Sequence, residues 1–178
     1  PLLRSRRPPI LAVASLAHRR VGVQRFAPCD DRAVPASSQA SLAARFELVP
    51  TLRVGPLWFG ATIGDHGELL HRVEDPEFDD ELIEYNVAGL DDALSVHVDD
   101  EGLIDTVTFY GFCQVRGRDL IGMEIGELLV VLGEAPDDIE ADTIGGELEL
   151  IYVFASLGLL VWTQDGVVGA VQAARAAY

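Results

Sequence analysis

The chain has 178 residues, 49% of them apolar, enough to bury the core of one domain or of two small fused units. Its 13 basic residues, all Arg, stand against 29 acids, a formal net charge of −16 that excludes general affinity for DNA, RNA or an anionic membrane. The two cysteines, Cys29 and Cys113, give neither a disulfide framework nor zinc-ligand spacing, and no apolar run reaches the ~18 residues of a membrane span.

The charge is unevenly spread. Residues 1–50 carry eight Arg against three acids, a net of +5, whereas residues 51–178 carry five Arg against 26 acids, a net of −21. The first stretch is rich in Arg, Pro, Ala and Ser with an irregular apolar pattern, so it reads as a disordered leader or an extension foreign to the fold. Arg6-Arg7 followed by Ile10 to Ala17 resembles an export signal, but the apolar run is short and His18-Arg19-Arg20 stands where a cleavage site belongs. A reduced cytoplasm is the expected location, with export the alternative if this region is a truncated signal.

The first unit is placed at residues 51–112. Leu52 to Val54 is strand-like and Gly55-Pro56 breaks it; Ile63 to Val73 reads as a short helix with Ile63, Leu69, Leu70 and Val73 on its apolar side. An acidic stretch, Glu74 to Glu84, leads into a strand at Leu82 to Val87. Leu94 to Val98 and Leu103 to Phe109 alternate around an Asp-Asp-Glu-Gly turn, a hairpin that Gly102 can close.

The second unit, residues 113–178, has a helix at Met123 to Leu132, ended by Gly133 and stopped by Pro136. Strands follow at Leu148 to Phe154, Leu157 to Thr163 and Val167 to Gln172. The two units answer one another: Phe59-Gly60-Ala-Thr-Ile63-Gly64 matches Ile121-Gly122-Met-Glu-Ile125-Gly126, and Val98 to Val107 matches Trp162 to Val171. The expected fold is α+β: two tandem units, each a short helix packed on an antiparallel β-meander, forming a joined sheet.

Gly117 to Met123 and Leu132-Gly133-Glu134-Ala135-Pro136 resemble the strand, Gly-Met, helix, Leu-Gly-x-Pro pattern of small tandem αβ-repeat proteins of the BamE and beta-lactamase-inhibitor-protein type. The Gly55 to Gly60 opening is similar to that of bacterial polymorphic-toxin immunity-type proteins. The resemblance covers about residues 52–172 and implies a binding scaffold whose partner contacts vary, so it carries over no binding residue.

Chemistry-bearing groups are few. His66 and His71 are five residues apart and do not share a helical face, and the acids lack calcium-loop spacing, so no metal or other cofactor is expected. Ser95 and His97 point the same way on a strand, with Asp99 and Asp105 nearby, but no nucleophile elbow accompanies them and no enzyme is expected. Two binding surfaces remain. One is an acidic ridge, Asp79, Asp80, Glu81 and Glu84, suited to a basic protein such as a toxin. The other is a sheet face bearing Ser95, His97, Thr106, Thr108 and Tyr110, opposite Leu94, Val96, Val98, Leu103, Val107 and Phe109. Tyr152, Phe154 and Trp162 are expected in the core. The reading is a non-enzymatic acidic immunity or inhibitor protein that occludes a basic partner; an envelope assembly module and a small-ligand domain are the alternatives.

Overall fold

The computed structural model describes Ser41 and residues 44–73, 83–90, 93–144 and 147–175. Three two-residue strands, β1 (Leu48–Val49), β2 (Arg53–Val54) and β3 (Leu57–Trp58), make a small antiparallel sheet. A 3-10 turn at Ile63–His66 follows, then β4 (Leu70–Arg72), β5 (Glu84–Val87), β6 (Leu94–Val98) and β7 (Ile104–Phe109). The second half runs through a short hairpin, β8 (Gln114–Val115) and β9 (Arg118–Asp119), and one helix, α1 (Ile125–Leu132). It then forms β10 (Asp138–Ile144), β11 (Glu147–Phe154), β12 (Leu159–Gln164) and β13 (Val167–Ala174).

Strands β4 to β7 and β10 to β13 join into one eight-stranded antiparallel sheet in the order β10-β11-β12-β13-β7-β6-β5-β4. The expected α+β plan of two helix-plus-meander units is therefore overturned: the described chain is mainly β, with one large sheet and one α-helix. The reason lies in the first half. Gly64 and Gly67 weaken a helix by roughly 1 kcal/mol each relative to Ala. The segment expected to continue the helix instead adds to the sheet, with Leu70 opposite Val87 and His71 opposite Asn86. In the second half the unbroken apolar run from Leu128 to Leu132 has no glycine in it, so α1 forms and buries Leu128 and Leu132, and Gly133 closes it in the left-handed region (φ 80°).

Strand docking, not the helix, recurs between the halves. Gly60 N–H donates to the Ile104 carbonyl (2.7 Å) and Gly122 N–H to that of Val168 (2.8 Å); Ile63 N–H donates to Gly102 (3.1 Å) and Ile125 N–H to Gly166 (2.9 Å). These bonds explain why the glycine punctuation repeats in the sequence.

One face of the large sheet packs the main core. Leu94, Val96, Val107 and Phe109 meet Phe46, Leu48, Val54 and Leu57 of the small-sheet region and Leu128 and Leu132 of α1 in a single cluster. Phe46 and Leu48 are 1% and 2% exposed, so the folded body begins before the residue-50 boundary read from charge. Phe154 and Trp162 are buried as expected, and Tyr152 packs partly against the core. A second cluster, Ile151, Val153, Leu160, Trp162 and Ala170, with Tyr110 against it, occupies the opposite face.

Candidate functional site

The register brings most of the central polar face together. His97 lies opposite both Glu84 on β5 and Thr106 on β7, and Ser95 lies opposite Thr108, so all five share one face. Ser95 Oγ and His97 Nε2 are 3.3 Å apart. Much of the face is buried: Ser95, Thr106 and Thr108 are each 2% exposed and Glu84 is 9% exposed, while His97 and Tyr110 are half-buried. Small side chains in mid-sheet, flanked by strands on both sides, leave Ser95, Thr106 and Thr108 themselves little surface for a partner to read. Asp99 and Asp105 are turned elsewhere: Asp99 Oδ1 accepts from the Glu101 and Leu103 amides (3.0 and 2.9 Å), and both carboxylates face Arg175 (3.7 and 3.8 Å). Of the acidic ridge, Asp79, Asp80 and Glu81 lie outside the described residues, so Glu84 alone can be placed.

A different surface emerges in the second half. Between Arg118 and Arg175 the chain has eleven acids and no Arg, Lys or His. Six of the acids converge on the β10–β11 hairpin. Asp138, Glu140 and Asp142 alternate along β10, with Asp142 opposite Glu149 and Glu147 one register step further, while Asp137 stands at the entry to β10. The opposite side of the same hairpin is apolar and open, with Ile139 52% and Leu148 63% exposed. A shallow cleft of about 350 Å³ continues from it, lined by Leu148, Leu150, Thr163 and the Asp165-Gly166 turn. Both signals are visible in the sequence, the absence of cations over 119–174 and the period-two spacing of the acids. An acid-rich run reads first as a loop because Asp and Glu are poor strand formers.

Among the described residues β10 is also an edge. The two-residue Asp165-Gly166 loop, with φ of 52° and 79°, makes Gln164 and Val167 a hydrogen-bonded pair. Alternation carried across β12 and β11 then points the backbone groups of Ile139, Ala141 and Thr143 outward, away from β11. Two of these outward amides are held by the preceding carboxylate: Ile139 N–H donates to Asp138 Oδ1 (2.8 Å) and Thr143 N–H to Asp142 Oδ1 (2.7 Å).

Elsewhere, Trp58 is 50% exposed, with the Arg53 guanidinium 5.7 Å from its ring centre. Cys113 is a buried free thiol; burial, and secondarily the nearby Asp119 charge, pushes it well above its ordinary range, which makes it a poor nucleophile. Among the described residues no group of three or more His, Cys, Asp or Glu is arranged to hold a metal ion, and no helix is long and apolar enough to cross a membrane. Comparison with protein-family models, with curated proteins and with solved structures returned no match.

Proposed function

We propose that this protein is a non-enzymatic binding module that engages a basic protein partner through the acidic β10–β11 end of its sheet. The observation that carries this reading is the run of eleven acids without a basic residue over 119–174, concentrated on a hairpin whose other side is apolar and open. Clustered charge of one sign raises the encounter rate with a cationic surface, and the adjoining apolar side chains supply burial once contact is made. A toxin or other cationic enzyme, held off its own substrate by this surface, is the partner class that fits best.

The test compares three full-length proteins as affinity baits in source-organism lysate: the wild type, a second-half variant (Glu140→Gln, Asp142→Asn, Glu147→Gln, Glu149→Gln), and a first-half variant (Asp65→Asn, Glu68→Gln, Asp100→Asn, Glu101→Gln). A basic protein retained by the wild type and first-half variant, lost from the second-half variant and released by salt, is the expected result. Equal retention by all three baits, or no basic partner on any, contradicts the reading.

A further inference from the structure

We infer that the partner adds a strand to the β10 edge, and that the segment it contributes is extended and alternates basic with apolar residues. This rests on the binding reading above and specifies its geometry. Three observations lead to it.

Among the described residues, β10 ends the eight-stranded sheet and is seven residues long, whereas the edge at the other side, β4, has only three. Its outward backbone groups, at Ile139, Ala141 and Thr143, have the spacing that an added strand pairs with. Its two faces then dictate the side chains of that strand. On one face the newcomer lies beside Asp138, Glu140 and Asp142, with Glu149 one strand further in; on the other it lies beside Ile139, Ala141 and Thr143, with exposed Leu148 behind. Because side chains alternate along a strand, the complement is basic at every second position and apolar between.

The same arrangement selects against other strands. A second copy of β10 would set acids against acids, and like charges directly opposite one another destabilise a pair. A neutral strand meets two amides already occupied by the Asp138 and Asp142 carboxylates. An Arg or Lys beside those carboxylates draws them off the amides, and the incoming carbonyls take their place. The carboxylates therefore close the edge to the wrong strand and open it to the right one.

The experiment uses the full chain and fluorescent synthetic octapeptides, read by anisotropy at low salt. One peptide alternates Arg and Val throughout; a block peptide of the same composition and charge places all its Arg before all its Val. A third probe is the alternating peptide N-methylated at every residue, which keeps its charge but loses the backbone donors on both edges. The protein variant is Ala141→Pro, which removes one outward amide at an edge position that tolerates proline and leaves the charge unchanged. Strand addition predicts that the alternating peptide binds at least about tenfold more tightly than the block peptide. It also predicts that Ala141→Pro weakens binding by about tenfold, the scale of one lost hydrogen bond, and that N-methylation, which removes several donors, weakens it by at least as much. If the alternating and block peptides bind alike, or the N-methylated peptide binds as well as its parent, strand addition is overturned while the electrostatic surface stands. If neither basic peptide binds, both readings fall. The peptide comparison decides the matter even if Ala141→Pro does not fold.

Discussion

Single residues show how steeply this fold penalises a side chain at its left-handed glycines. Gly158 has φ +60°, and a Cβ there would stand 2.6 Å from the Ala174 carbonyl oxygen and 3.2 Å from Thr51 Cγ2. Gly166 has φ +79° with open space around it. Gly166→Ala is expected to cost about 1–2 kcal/mol, the left-handed penalty alone. Gly158→Ala, which adds a backbone clash, is expected to lose upward of about 3 kcal/mol by urea unfolding; equal losses would show that the clash relaxes freely.

Cys113 makes a second prediction at this scale. Asp119 Oδ1 accepts from the Cys113 and Ile121 amides (2.8 and 3.1 Å), which fixes a carboxylate close to the buried thiol. The folded thiol titrates above its unfolded value, so below the unfolded value both states hold the proton and the group leaves stability unchanged. Above that, the unfolded chain ionises while the folded chain does not, and stability falls as pH rises. The urea midpoint should drop between about pH 8 and about pH 10, and the drop should shrink in Cys113→Ala. An identical slope in that variant would place the alkaline sensitivity elsewhere.

At the scale of elements, β10 is the informative strand. Its carboxylates keep an otherwise open edge from pairing with itself. Neutralising them in Asp138→Asn/Glu140→Gln/Asp142→Asn should produce a concentration-dependent dimer in sedimentation velocity that the wild type does not show. A triple variant that sediments like the wild type would mean that something other than charge guards the edge.

The same strand shows how far the chain can be read without coordinates. Elements with strong local signals are legible: the Leu94–Val98 and Ile104–Phe109 hairpin around Gly102, the helix ending at Gly133, and the C-terminal strands. Repeated glycine and leucine punctuation marks recurring hydrogen bonds such as those of Gly60 and Gly122. It does not say whether a helix or a 3-10 turn follows, and there the expectation fails at Ile63–His66. Pairing partners decide the rest. Leu70–Arg72 is a strand because β5 is available to it, and the acids of β10 form an edge because β11 extends to eight residues. Alternation puts Ser95, His97, Thr106 and Thr108 on one face, but the burial of Ser95, Thr106 and Thr108 depends on sheet width, which periodicity does not encode. The acidic hairpin could have been found from the missing cations of residues 119–174.

The whole molecule combines a rigid frame with a lopsided field. The β7–β13 pairing, with Val107 opposite Ala173 and Phe109 opposite Val171, fuses both halves into one sheet over one main core. The β10–β11 hairpin stands at the far end of that sheet, where acidic and apolar side chains are presented on opposite sides of a single strand. The most direct measurement is amide hydrogen exchange of the full chain by NMR, with and without the alternating Arg-Val peptide. Binding at the edge should slow exchange at Ala141, and at Ile139 and Thr143 as peptide carbonyls replace the Asp138 and Asp142 carboxylates, while the β6–β7 turn amides at Asp100 and Glu101 are unchanged. Protection that is absent at those three amides, or that appears equally in the first half, would contradict the assignment of this edge as the binding surface.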